Sequence, residues 1–264
     1  MRIIILTNSH LYSNLALKEF LSKHKKDIVG VFMPDFLLPG KSFFGSVKFL
    51  LKKSFFEFCL YKWFEDKVYN FKLALGLGKL KSYSYYSKKY NFSIFKIKSI
   101  NDDETINLIR KLRPDVIYSV SYPQKISEKV ITIPKLGAIN FHDSLLPAYR
   151  GLCAYFWITA NNEKKGGVTA HYIAKEFDTG DIVLQKEYKI DKKDTMQKVY
   201  YKSSKLIGET ILEVQDKLKN NKVRSYRQSE NGMSSYSWPN KEGYRLFKKN
   251  KKKMFKFVEL WDSI

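Results

Sequence analysis

The chain has 264 residues, 44% hydrophobic and 28% charged, enough apolar material for one large domain and far from a disordered composition. Its net charge is +22, but 41 of the 48 basic residues are lysine and only seven are arginine. Proteins that read bases lean on the arginine fork, so this excess argues against nucleic acid and fits a solvated surface that attracts a phosphorylated substrate.

Residues 2–7 form an apolar run too short for a secretory leader, and no stretch approaches the roughly 20 apolar residues that cross a bilayer. The expectation is a cytoplasmic protein. The same run reads as a first buried strand. Residues 12–24 carry Leu15, Leu17, Phe20 and Leu21 at near-helical spacing, and residues 28–33 read as a second strand closed by Pro34 and Asp35. Strand, helix, strand opens a doubly wound, mostly parallel sheet. No Gly-x-Gly-x-x-Gly follows the first strand, which argues against a dinucleotide cofactor.

Residues 40–95 differ in character. Aromatic and aliphatic residues crowd together there with Lys48, Lys52, Lys53 and Lys62 between them, as in one or two amphipathic helices. Such an insertion packs across the domain or against a second subunit, or lies peripherally on an anionic membrane. Strand character resumes at 92–97. Residues 101–104 then supply an N-cap and an acidic first turn for a helix through Leu112. Strands at 115–120 and 138–142, with a short helix from Ser127 to Val130 between them, should border one crevice at their carboxyl ends. Two further strands, 167–173 and 182–188, flank a turn at Asp178-Thr179-Gly180, and 195–219 reads as a long helix. The rest of the tail is polar, aromatic and lysine-rich. Cys59 and Cys153 have no metal-ligand spacing and no adjacent base, so no metal is expected and the thiols read as ordinary buried cysteines.

The run Asn140-Phe141-His142-Asp143-Ser144-Leu145-Leu146-Pro147 carries the chemistry, together with Gly167-Val168-Thr169-Ala170-His171 and Asp178-Thr179-Gly180-Asp181-Ile182. An amide, an imidazole and a carboxylate suit acyl transfer to an amine. The amide donates to the oxygen that gains charge, the imidazole moves the proton, and the carboxylate orients the imidazole and raises its pKa. Asn140 and His142 are two apart on a strand and therefore share a side.

With those motifs the chain resembles the formyltransferases that use 10-formyltetrahydrofolate, most strongly from Pro114 to Leu184. The resemblance implies the formyltransferase fold over residues 1–215, carrying the 40–95 insertion, with a short extension at 216–264. It implies that Asn140 stabilises the oxyanion, that His142 shuttles the proton and that Asp178 tunes His142, with His171 in support. It places the folate against Gln124, Lys125 and Ile126 and against Ala174, Lys175, Glu176, Phe177 and Asp178, largely through backbone groups. Tyr149-Arg150-Gly151 resembles the tRNA and sugar branches. A methionyl-tRNA enzyme would carry a further C-terminal module of roughly 90–100 residues, so the expected acceptor is a nucleotide-linked amino-deoxy sugar for surface polysaccharide. Tyr149, Arg150 and Trp238 are candidates to touch it. A homodimer is expected. Methionyl-tRNA, or a lipid-linked amino sugar at the membrane, stands as the alternative acceptor.

Overall fold

The computed structural model describes residues 1–35 and 43–262; residues 40–42 of the expected insertion and the last two residues of the tail lie outside them. In β1 (Ile3–Leu6) every residue is buried. Ile3 and Ile5 enter one core, Ile4 and Leu6 the other, as a strand covered on both faces requires. β1 pairs in parallel with β2 (Ile28–Pro34) and β4 (Val116–Val120). β2 pairs with β3 (Ile94–Ile97), and β4 with β5 (Ala138–His142), again in parallel. β7 (Lys165–Tyr172) and β8 (Ile182–Lys189) complete the sheet in antiparallel sense, giving the order β3-β2-β1-β4-β5-β7-β8. The mostly parallel, doubly wound sheet read from the sequence is the one that forms. Its strand order reverses between β1 and β4, where such sheets open a crevice.

On one face lie α1 (Leu11–Lys23), α4 (Tyr83–Tyr90) and α8 (Met196–Lys219), which contribute Phe20, Tyr83 and Ile211 to the first core. On the other lie α5 (Asp103–Leu112) and α6 (Glu128–Ile131), with Ile109 and Val130 in the second. The cap read within 101–104 forms at Asp102, whose Oδ1 accepts from Thr105 N at 2.8 Å, and the structure adds one at Thr195, whose Oγ1 accepts from Lys198 N at 3.1 Å.

The 40–95 segment holds three helices rather than one or two, and α4 belongs to the main body. α2 (Phe43–Lys53) and α3 (Phe56–Ala74) form the insertion proper. Phe55, Phe58 and Tyr61 join a third core with α7 (Ala154–Ala160) and with Phe247 of α9 (Lys241–Lys249). Sequence reading passes over α7. All seven of its residues are buried, so it shows no amphipathic period to detect. The tail packs back on the body: β6 (Arg150–Gly151) pairs in parallel with β9 (Ser235–Tyr236), α9 covers α7, and α10 (Phe257–Asp262) rests on α3 and α8. α8 runs through the expected boundary at 215, so no linker separates body from extension.

Candidate active site

Strand parity assembles the site. On β5, Ile139 and Phe141 point into the first core, so Asn140 and His142 point the other way. On β7, Val168 and Ala170 are in that same core, which turns Thr169 and His171 towards Asn140 and His142. The antiparallel register sets Asn140 opposite His171 and His142 opposite Thr169. The connection from β7 to β8 then folds back over β5 and delivers Asp178.

Asp178 is the centre of the cluster. Its Oδ2 accepts the Gly151 amide at 2.8 Å and lies 3.7 Å from His142 Nδ1; its Oδ1 is 3.5 Å from His171 Nε2. Burial alone would raise this carboxyl. The facing His142 imidazole and the Gly151 amide act against burial, and the carboxyl is held well below the usual carboxylate range. Asp178 adopts φ 55°, a left-handed conformation uncommon outside glycine. Two residues on, a Cβ at Gly180 would run into the Tyr172 carbonyl, so the close turn needs glycine there.

The tautomers follow from the acceptors. His142 Nε2 sits 2.8 Å from the Tyr149 carbonyl, which can only accept, so Nε2 carries the proton. Nδ1 is then the basic nitrogen and faces Asp178. Burial works against a charged His142, but Asp178 first, then Asp143 and the Tyr149 carbonyl, raise its pKa above the ordinary value. His171 Nδ1 donates to the Tyr172 carbonyl at 2.9 Å, leaving Nε2 to accept from the Asn140 amide at 3.2 Å. The second Asn140 N–H reaches Asp178 Oδ1 only at 3.5 Å, the limit of a hydrogen bond, so it is the donor open to a substrate oxygen.

The segments expected to hold the folate meet each other. Lys125 Nζ lies 3.6 Å from Glu176 and 5.4 Å over the Phe177 ring, tying residues 124–126 to residues 174–178. Phe177 is 59% exposed and Ile126 is buried. The Gln124 side chain is engaged elsewhere: it accepts from Ile100 N and the Tyr122 hydroxyl and donates to the Lys98 carbonyl. Only its peptide groups are left to meet a ligand. An exposed ring beside an apolar floor, loop peptides and a cation suit a flat heteroaromatic group with an anionic tail. Among the described residues, no three His, Cys, Asp or Glu gather as metal ligands.

Of the residues expected to touch an acceptor, two make contacts with the tail. The Tyr149 hydroxyl donates to Glu163 at 2.7 Å and its ring stacks on Tyr236, 5.3 Å between centroids. Arg150 donates to Gln228 Oε1 at 2.6 Å and points a second nitrogen at Met233 Sδ. Trp238 follows Ser237, whose carbonyl accepts from Trp157 Nε1 at 2.9 Å, and precedes Pro239, whose carbonyl accepts from Ser54. That places it between α7 and the end of α2. Sequence reading missed Gln228, which donates to the carbonyls of both Asp178 and Gly180, at 2.9 and 2.8 Å. A lone glutamine in a polar tail gives no signal. Burial pushes the Cys153 thiol up to about 12, which removes it as a nucleophile.

The formyl transferase family model matches residues 68–215. The bifunctional polymyxin resistance protein ArnA of Wigglesworthia glossinidia brevipalpis is 40% identical over 129 residues, 47% of this chain and 20% of that protein. Methionyl-tRNA formyltransferase of Thermotoga maritima is 34% identical over 151 residues, 57% of this chain and 48% of that protein. The chain thus spans less than half the length of these two relatives. Among solved structures, the sugar 3N-formyl transferase WlaRD, determined with dTDP and 5-N-formyl-THF, superposes with a TM-score of 0.58. It is 20% identical, over 90% of this chain and 69% of that one, a likeness of fold.

Proposed function

The chain belongs to the formyl transferase family, and from that premise we propose an N-formyltransferase that uses 10-formyltetrahydrofolate and acts on the amine of a nucleotide-linked amino-deoxy sugar. The observation that carries formyl transfer is the meeting of Asn140, His142 and Asp178, with one Asn140 N–H held only by a long contact to Asp178 and His142 Nδ1 facing a carboxylate. When bound, the folate supplies an activated one-carbon acyl group. Lys125, Ile126 and the peptides of residues 174–178 would hold it. The weakly held Asn140 N–H turns to the oxygen that gains negative charge as the amine attacks and donates to it. His142 Nδ1 accepts the amine proton, Asp178 stabilises the imidazolium that results, and the proton then passes to the donor nitrogen that leaves as its bond to the formyl carbon breaks. The Tyr149 carbonyl keeps the other nitrogen protonated throughout.

The acceptor is read from the sugar-nucleotide enzyme that shares the fold over nine-tenths of this chain, and from the +22 charge, which draws in a diphosphate. The product then belongs to surface-polysaccharide assembly. A second reading, methionyl-tRNA, is favoured by the 34% identity to the Thermotoga maritima enzyme. A screen of dTDP- and UDP-linked amino sugars with 10-formyltetrahydrofolate, following tetrahydrofolate release, separates the two. Turnover with a sugar nucleotide and none with methionyl-tRNA is expected; the reverse pattern overturns the sugar, and release with neither overturns both.

A further inference from the structure

α3 is apolar on two opposite faces, and only one is packed. The inner stripe of Phe58, Tyr61, Glu65 and Tyr69 is no more than 3% exposed. Opposite it, Phe56, Leu60, Trp63 and Phe71 recur at helical spacing and are 64%, 49%, 58% and 55% exposed, with exposed Lys67 in the same stripe. A soluble surface helix normally turns charge outward on this side. α10 extends the patch. It packs on α3 through the rings of Phe64 and Phe257, 6.2 Å apart, and through Lys72 Nζ on the Trp261 carbonyl at 2.6 Å. Phe257 is itself 58% exposed and Trp261 38%. On the other neighbour of α3, Leu51 of α2 is 48% exposed and stands beside Lys52 and Lys53.

The charge around this patch is one-sided. Between residues 43 and 81 there are eight lysines against three acidic residues. One of the three, Glu65, is buried and paired with Lys62 at 2.8 Å. Where α2 meets α9, an open groove of about 430 Å³ gathers Lys52, Lys53, Lys241 and Arg245 around a single acid, Glu242. Amphipathic aromatics interleaved with lysines are the composition of a helix that lies in a bilayer interface, rings at the headgroup boundary and cations on the phosphates.

We propose that the outer face of α3, with α10 and the end of α2, docks the protein on the surface of an anionic lipid bilayer. A second copy of the chain is the poorer occupant, because closing this face on itself sets lysine against lysine between two molecules of +22. An anionic surface instead rewards each nearby lysine by about fivefold in affinity. The inference goes beyond formyl transfer and does not depend on the acceptor, since docking is read without turnover.

The experiment is cosedimentation of the full chain with vesicles of mixed phosphatidylglycerol and phosphatidylcholine, and with phosphatidylcholine alone, at low and high salt. Pelleting with the anionic vesicles only, and release by salt, are expected. Lys52→Gln and Lys67→Gln should each weaken binding about fivefold. The double variant Trp63→Ser with Phe71→Ser should lose binding while keeping the wild-type circular dichroism and rate of formyl transfer. Wild-type protein that stays in the supernatant at low salt overturns the proposal, as does unchanged binding by the double variant. So does a dimer in sedimentation velocity that the double variant dissolves without any vesicle binding, which would assign the face to a second copy.

Discussion

Asp178 meets two imidazoles and a backbone amide, and its carboxylate decides how His142 titrates. Burial works against a charged His142, and Asp178 is the foremost of the groups that overcome it and raise the pKa. In the proposed mechanism His142 acts as a base when neutral, so the rate should rise with pH through its pKa. Asp178→Asn should therefore move the acid limb of the kcat/KM profile to lower pH while kcat falls by about 10²-fold or more; an unmoved limb would dissociate the pair. Asn140→Ala removes the donor to the developing charge and should lower kcat by about 10²- to 10³-fold with little change in KM, read by tetrahydrofolate release. Gln228 acts one step further out. Gln228→Leu frees the carbonyls of Asp178 and Gly180 and the Arg150 guanidinium, and should cost about 1–3 kcal/mol in urea unfolding. The pH limb of His142 should shift with it, because the Asp178 turn loses its clamp; a stability loss with an unshifted limb would make Gln228 merely structural. Asn140, His142 and Asp178 are legible in the sequence because their chemistry is in the residue types. Gln228 is not, because its role lies entirely in which carbonyls it meets.

At the scale of elements, local rules guide wherever the signal lies within one turn or one strand. The cap within 101–104 and the continuous buried runs of β1 and β4 could be read directly on that ground. α7 could not, because a helix buried on every side loses the periodicity that marks a helix. The seating of α8 on α1 shows a constraint of another kind. Gly208 lies so close to α1 that a Cβ would stand 2.8 Å from the Ala16 carbonyl oxygen. Gly208→Ala should push the two helices apart and destabilise the fold by about 1–3 kcal/mol, measurable as a lower thermal midpoint. Because α8 also supports β7, the same variant should disturb the register that sets His171 against Asn140.

Over the whole molecule, the chain closes on its own site. β9 pairs with β6, the Ser234 hydroxyl accepts from Tyr149 N at 2.9 Å, and Gly151 approaches Tyr236 so closely that no side chain fits. The last forty residues thus brace the loop whose amide holds Asp178. The lysine excess acts at this scale too. If +22 draws in a diphosphate, KM for the acceptor should climb with ionic strength as the Debye length falls from about 10 Å at 0.1 M salt to about 3 Å at 1 M. kcat should stay flat, since His142, the proposed base, is buried; a KM indifferent to salt would leave the charge to the membrane face.

By itself the sequence determined the fold class and the family, and it named three side chains that the fold brings together, because buried runs, caps and motifs are local records of what each residue must do. Tertiary structure decided the rest. It set the antiparallel edge that puts His171 on Asn140, the fold-back that carries Asp178 to His142, and the tail that clamps both. It also decided that α3 keeps an apolar face in the open. These are relations between residues far apart in the chain, and nothing in the spacing of one segment reveals which surface of another it will meet.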